Sequence, residues 1–227
     1  MAKIETKICG VTERQALDAA IEGGAAMAGL MFYEPSPRAI THLDAAALAG
    51  HADGRVQLVG VFVDAPDLLL EVTTRAVPFA FLQLHGNESP GRVAAIRERY
   101  GVPVIKAVAI GGPEDIARAH SYEAAADRLL FDAKPPHGDL PPEFRGYLPG
   151  GNALSFDWRL IAGENWGKPW VLSGGLTADN LAEAVHISGA AAVDVSSGVE
   201  RVRGIKDPEL IRTFLETASK IEAPDRK

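Results

Sequence analysis

"IETKICGVTERQALDAAIEGG", residues 4–24, passes from a β-prone segment through a glycine into a helical pattern. Side chains alternate along a strand, so Ile4, Thr6 and Ile8 share one face and Glu5, Lys7 and Cys9 the other. Gly10 lets the backbone turn sharply. Thr12 stands where an N-cap hydroxyl is expected, before an alanine- and leucine-rich body that stops at Gly23-Gly24.

The same unit recurs along the chain. Further short apolar runs are "AGLMFY" (28–33), "VQLVGVFV" (56–63), "FAFLQLH" (79–85), "VPVIKAVA" (102–109), "RLLFD" (128–132), "PWVLS" (169–173) and "AAVDVS" (191–196), which makes eight strands with the first. Helical patterns lie between them and after the last. "SPGRVAAIRERYG" (89–101) carries Ser89 as cap, Pro90 at the first helical position and Gly101 as terminator. "TADNLAEAVHISG" (177–189) and "DPELIRTFLETASKI" (207–221) are similar, and in the long connection after the sixth strand only "FDWRLIAG" (156–163) reads as helical.

Repeated strand–turn–helix units require parallel strands joined by crossovers. An open doubly wound sheet reads alike locally. A closed (β/α)8 TIM barrel is favoured because the count is eight and no early G-x-G-x-x-G turn marks a dinucleotide crevice. We expect one barrel domain over residues 1–221, with 222–227 as a frayed tail.

Composition narrows the function. With 23 basic and 30 acidic residues the formal charge is −7, which argues against nucleic acid or a membrane surface as partner, since both require a basic face. One small anionic ligand held by backbone amides remains compatible. A single cysteine forbids an internal disulfide and fits a reducing compartment. "MAKIETK" lacks the apolar core of a signal peptide, and no apolar run is long enough to span a bilayer, so a cytoplasmic protein is expected. The acidic surface and lack of a long apolar face lean towards a monomer, with a homodimer the alternative.

In a barrel the alternation of the first strand places Cys9 last, pointing inward at the carboxyl rim where such enzymes keep their chemistry. Lys7, one layer below, would help hold it as thiolate, with Glu5 cancelling part of that effect, and a lowered thiol pKa is expected. A packed, inert thiol is the commoner fate of a lone cysteine. In "RLLFD" the same phase leaves Asp132 inward and last on strand six, across the mouth from Cys9. The two make an acid–base pair, although an Asp closing a strand is also a turn former. Asp194 on strand eight is either an ion-pair partner for Lys7 or a contact to a substrate hydroxyl. "LSGGLT" (172–177), with Gly174 and Gly175, and "VSSGVE" (195–200), with Ser196, Ser197 and Gly198, follow strands seven and eight, where barrels often bind phosphate. The prolines of "FYEPSPRAIT" (32–41) aim Arg38, a residue suited to a carboxylate. His85 closes strand four as a rim ligand or a structural hydrogen bonder.

These pieces together resemble one family. "KICGVT", "GLMFYEPSPR", "VGVFVD", "LQLHGNE", "IKAV", "LLFDAKPP", "GGNALSFDW", "WVLSGGLTADN", "VDVSSGVE" and "GIKDPELI" follow in order the pattern of phosphoribosylanthranilate isomerase, of tryptophan biosynthesis. The resemblance implies a metal- and cofactor-free Amadori rearrangement of a phosphorylated aldose amine to a ketose amine. It implies Asp132 as general acid, Cys9 as general base, Arg38 near the anthranilate carboxylate, Gly174–Gly175 and Ser196–Gly198 as phosphate turns, and Asp194 near the sugar. One departure stands out. Relatives commonly read Gly-Gly-Thr/Ser-Gly-Lys after strand six, where this chain has Gly150-Gly151-Asn152-Ala153-Leu154, which puts in doubt how that loop closes. "LPPEFRGYLPGG" (140–151) before it reads as a lid segment.

The competitors are the histidine-pathway aldose–ketose isomerase, which uses an aspartate where Cys9 stands, and metal-dependent pentulose-phosphate epimerases, which need several rim histidines where only His85 qualifies. A non-catalytic barrel sensing a phosphorylated metabolite is the competitor from another class.

Overall fold

The computed structural model describes residues 3–134, 150–151 and 154–224. Eight parallel strands form a closed barrel in chain order: β1 Glu5–Cys9, β2 Met27–Met31, β3 Gln57–Phe62, β4 Phe81–Leu84, β5 Val104–Ile110, β6 Arg128–Ala133, β7 Trp170–Leu172 and β8 Ala192–Val195. Closure is made by β1 against β8, with Lys7 opposite Asp194. Among the described residues seven helices surround it: α1 Arg14–Glu22, α2 His42–Ala52, α3 Asp67–Ala76, α4 Pro90–Tyr100, α5 Pro113–His120, α6 Leu181–Ser188 and α7 Pro208–Ser219. A short hairpin, β9 Glu200–Val202 with β10 Ile205–Lys206, follows β8.

Period-two alternation sorts the core into two layers. Ile4, Ile8, Leu129 and Phe131 pack under the helices. Cys9, Met27, Val59, Val61, Ile105, Ala107, Leu130 and Val171 fill the barrel itself. This is the phase read from the sequence, and it puts the last inward residue of each strand at the rim.

Helix boundaries follow their caps. Ser89 accepts from Arg92 N–H and Gly101 takes the left-handed conformation, as expected. Asp207 caps α7 through Glu209 and Leu210 N–H. Two expectations need correction. Thr12 is not the cap of α1: the helix begins a residue later, after Glu13, whose side chain makes no capping bond. The stretch 156–163 holds only a 3₁₀ turn, Trp158–Leu160, because the Asp157 carboxylate takes the Arg159 N–H and side chain and closes the turn locally. At the C-terminus Glu222 bridges Lys3, and residues 225–227 of the expected frayed tail lie outside the described residues. So do residues 140–149 of the expected lid, as do Asn152 and Ala153. Among the described residues no helix is long and apolar enough to cross a membrane.

One lysine of β5 breaks the apolar pattern for a reason. Lys106, 1% exposed, points into the helix layer and donates to the carbonyls of Leu84 (3.1 Å) and Gly86 (2.7 Å) and to Glu88 Oε2 (2.8 Å). Glu88 in turn accepts from the N–H groups of Asp64 and Gly86, so the turns after β3 and β4 are tied to β5. Replacing the lysine leaves a buried carboxylate without its cation. Lys106→Met is expected to lower the unfolding free energy by about 3–5 kcal/mol in urea titration, and a loss under about 1 kcal/mol would show that the pair is dispensable.

Candidate active site

At the carboxyl rim a pocket of about 710 Å³ is lined by Cys9, Arg38, His85, Asp132, Asp194 and the turns after β7 and β8, with Met31, Tyr33, Val63 and Leu176 as apolar wall.

Its floor is ionic. Lys7 Nζ, fully buried, donates to Asp194 Oδ1 at 2.8 Å, and Ser173 Oγ donates to Asp194 Oδ2 at 3.2 Å. Of the two roles open to Asp194, the ion pair is therefore present, while its carboxylate also reaches the pocket. Glu5 does not oppose Lys7 as expected: it pairs with Arg128 at the other end of the barrel. Space for the Lys7 and Cys9 side chains comes from Gly29 on β2, where a Cβ would stand 3.0 Å from Cys9 Sγ and 3.1 Å from Lys7 Nζ.

The thiol departs from expectation in sign. Burial pushes the Cys9 pKa up, and although Lys7 pulls it down, Asp194 beside Lys7 pushes it up again. Burial alone would lower Lys7, but the charges of Asp194 and Cys9 more than offset that and hold its ammonium above the usual range. A lysine already engaged by a carboxylate is a weak activator of a neighbouring thiol.

Asp132 closes the inward row of β6. Its Oδ1 accepts from Ala133 N–H (2.9 Å) and its Oδ2 lies 3.2 Å from His85 Nε2. Gly150 covers the pair so closely that a Cβ there would meet Asp132 Oδ2 at 2.7 Å and His85 Nε2 at 2.9 Å. Of the two roles open to His85, the hydrogen-bonding one is realised, and at the acid itself.

The two glycine turns lean on each other. Gly174 and Gly175 have φ of 91° and 64°, and a Cβ on Gly198 would fall 1.9 Å from the Leu176 carbonyl oxygen. Asn180 braces the first turn by donating to Gly175 O at 2.9 Å. Gly174, Gly175, Ser196 and Ser197 line the same pocket, with a backbone amide at each. Such amides are suited to an anion.

Arg38 is not the solvent-facing arginine of a loop. It is 2% exposed, and its Nε and Nη2 already hold a carboxylate bidentately, that of Glu200, at 2.6 and 2.9 Å. Nη2 also donates to Gly151 O at 3.1 Å, a Cβ on Gly151 would stand 2.5 Å from Nη1, and the side chain lines the pocket. Lys206 completes the group, donating to Glu200 Oε1 (2.7 Å), Ser196 O (2.9 Å) and Ser196 Oγ (3.2 Å). Burial would raise the Glu200 pKa, but Arg38 and Lys206 reverse this and bring it to about 2. Sequence reasoning missed Glu200 and Lys206. The signal was a carboxylate and a lysine at either end of a Gly-containing hairpin, "GVERVRGIK" (198–206), directly after the phosphate turn.

Among the described residues no cluster of three His, Cys, Asp or Glu is placed to hold a metal. What the rim brings together is a carboxyl group, a thiol and two amide-lined turns in one pocket of a closed parallel barrel. Fold and site thus define a barrel enzyme of the acid–base, anion-binding class.

The comparisons agree and go further. The family model for N-(5'phosphoribosyl)anthranilate (PRA) isomerase matches residues 6–217. The chain is 54% identical over 215 residues to the N-(5'-phosphoribosyl)anthranilate isomerase of Paramagnetospirillum magneticum, covering 95% of this chain and 97% of that one. It superimposes on the phosphoribosyl anthranilate isomerase of Thermotoga maritima with a TM-score of 0.82 at 34% identity, covering 96% of this chain and all of that one. A phosphoribosyl anthranilate isomerase complexed with reduced 1-(o-carboxyphenylamino)-1-deoxyribulose 5-phosphate gives 0.80 at 33% identity, with 96% and 100% covered. The chain belongs to the N-(5'-phosphoribosyl)anthranilate isomerase family.

Two outcomes check the electrostatics. Glu200 gives its full stabilisation above its ordinary value of 4.5 and loses it as pH falls towards about 2. The unfolding free energy of Glu200→Gln should therefore fall less steeply than that of wild type on acidification from about pH 5 to 3; parallel slopes would contradict the assignment. For Cys9, the only thiol in the chain, the rate of alkylation by iodoacetamide should still be climbing above the ordinary thiol value of 9.0, and a plateau reached near neutrality would mean that the thiol pKa is lowered rather than raised.

Proposed function

We propose that this chain converts N-(5'-phosphoribosyl)anthranilate to 1-(2-carboxyphenylamino)-1-deoxyribulose 5-phosphate, the isomerisation step of tryptophan biosynthesis. The observation that carries the reading is that Asp132 and Cys9, on opposite sides of the barrel, line one pocket with the two glycine turns. An aldose–ketose shift needs an acid on one side of the sugar and a base on the other.

Asp132 gives its proton to the furanose ring oxygen as the C1–O bond breaks, and the nitrogen lone pair forms a protonated Schiff base. Cys9, as thiolate, takes the proton from C2, and the electron pair moves to nitrogen to give the enolamine. Protonation at C1 and loss of the C2 hydroxyl proton complete the ketone. The phosphate lies against the amides of Gly174, Gly175, Ser197 and Gly198, with the Ser196 hydroxyl beside them. The anthranilate carboxylate lies beside the Arg38 guanidinium, whose Nε and Nη2 Glu200 holds still. Asp194 contacts the sugar from the floor while anchoring Lys7.

A raised thiol pKa is compatible with this role. Only a minority of molecules carry the thiolate at neutral pH, at a cost of about 1.4 kcal/mol per unit. In return the thiolate is a stronger base, and its target is acidified by the adjacent iminium.

The test generates the substrate in place and follows the loss of its anthranilate fluorescence. Wild type should consume it, while Cys9→Ser and Asp132→Asn, both folded, should fall by roughly a hundredfold or more. If folded wild type leaves the signal unchanged, the isomerase reading fails and a sensor of phosphorylated metabolites replaces it.

A further inference from the structure

Behind Asp132 the contacts continue inward. Gln83, fully buried on β4, places its carboxamide Nε2 at 2.9 Å from His85 Nδ1, and His85 Nε2 lies 3.2 Å from Asp132 Oδ2. An amide nitrogen only donates, so in this arrangement Nδ1 accepts and the imidazole proton is on Nε2, facing the carboxylate. The other end of the same amide is orphaned: Gln83 Oε1 is buried with no hydrogen-bond partner among the described residues. A buried carbonyl oxygen left unpaired costs free energy, and in native proteins it calls for a reason.

The chemistry of the neighbours supplies one. With Nδ1 unprotonated, the Nε2 proton cannot pass to Asp132 without leaving an imidazolate, so the carboxyl group stays ionised. If Asp132 carries the proton it shares with His85 Nε2 and gives that proton away, the pair first holds two protons, the other on Nδ1, taken up from solvent. That Nδ1–H needs an acceptor. A half-turn of the Gln83 carboxamide about its terminal bond supplies Oε1 at the same place, with the amide nitrogen taking the position that Oε1 leaves.

We propose that Gln83 is a positioning residue for the general acid: its carboxamide serves as donor in the one-proton state of the His85–Asp132 pair and as acceptor in the two-proton state, so that Asp132 can be recharged between turnovers. The proposal rests on Asp132 being the acid of the isomerase reaction. In the two-proton state the shared proton sits on Asp132 Oδ2, passes to the ring oxygen of the substrate, and leaves the pair with the single proton on Nδ1. The Nδ1 proton then leaves to solvent while one is taken up at Nε2, and the amide turns back. The charged groups packed around His85 are few. Asp132 faces it from β6. Lys106 of β5 spends its ammonium on the carbonyls of Leu84 and Gly86 and on Glu88, and Glu88 and Asp64 bind backbone N–H groups of the same turn. None of these supplies an acceptor to Nδ1.

The test separates this proposal from the isomerase reading by using nuclear magnetic resonance on histidine-¹⁵N-labelled protein without substrate. The His85 signals are assigned as those missing from His85→Asn. Wild type should show the Nε2–H tautomer at about pH 8 and gain a second proton on acidification. Gln83→Glu, which only accepts, should move that titration to higher pH. Gln83→Met, of similar size and unable to accept, should move it to lower pH, because bonds to the charged form are the stronger ones lost. In the turnover assay Gln83→Met should lose roughly tenfold or more in kcat with KM within about twofold, the pattern of an interaction used only on the way to the transition state. A His85 titration that is the same in wild type and Gln83→Met overturns the proposal, whether or not Gln83→Glu folds. Opposite shifts of the two variants in a protein that turns over no substrate would uphold the Gln83–His85 coupling but reject the isomerase reading, and with it the recharging of a general acid.

Discussion

Everything at the rim stands on the ion pair between Lys7 and Asp194. These residues face each other across the seam where β1 meets β8, so the contact that closes the barrel is also the one that places a charge under the pocket. Burying two charges is costly, and the return depends on geometry: a 2.8 Å bond, a hydroxyl from Ser173 on the second carboxylate oxygen, and a glycine at position 29 that leaves room for the ammonium. Once formed, the pair cannot be half-removed without stranding the other charge. The seam, and with it the register that puts Cys9 one layer above Lys7, is therefore held by more than backbone hydrogen bonds.

Two further buried lysines repeat the device. Lys106 gathers two carbonyls and Glu88, and so fixes the turn that carries His85. Lys206 gathers Ser196 and Glu200, and so joins the phosphate turn to the carboxylate that clamps Arg38. In each case an ammonium meets several oxygens at the rim, from strand ends and the turns beside them. Loops at the mouth of a barrel are its most mobile parts, and here the anchoring lies beneath them, out of the substrate's way. The pocket's polar groups are thus oriented before a ligand arrives, which spares part of the ordering cost on binding.

What could be read from the sequence divides along physical lines. The strand phases were legible because alternation has a period of two and each strand carries its own record: Ile8 outside and Cys9 inside, Phe131 outside and Asp132 inside. Gly174, Gly175 and Gly198 were legible as turns because only glycine fits where they stand. The partners of long side chains were not. Nothing near Arg38 announces Glu200, 162 positions further on, and a bidentate arginine fork looks the same in a sequence whether a ligand or the chain itself fills it. Nothing in "VPVIKAVA" shows why Lys106 is buried, since its acceptors are two backbone carbonyls and a carboxylate around the end of the neighbouring strand. The helix expected over 156–163 failed for a local reason: Asp157 satisfies its neighbour's N–H and stops the ladder that periodicity alone would extend.

The sign of the thiol's shift is the most instructive miss. A lysine two residues before a cysteine, on the same face of a strand, reads as an activator if only the pair is considered. The barrel adds two things that the pair does not contain, burial from water and a carboxylate from the opposite end of the chain, and both act against ionisation. The site therefore does not hold a ready-made thiolate. It holds a thiol in a fixed place, with a cation close enough to limit the cost of ionising it, in one pocket with a carboxyl group that a histidine contacts. Position comes first in such a pocket, and the protonation states needed for turnover are minority states drawn on as required.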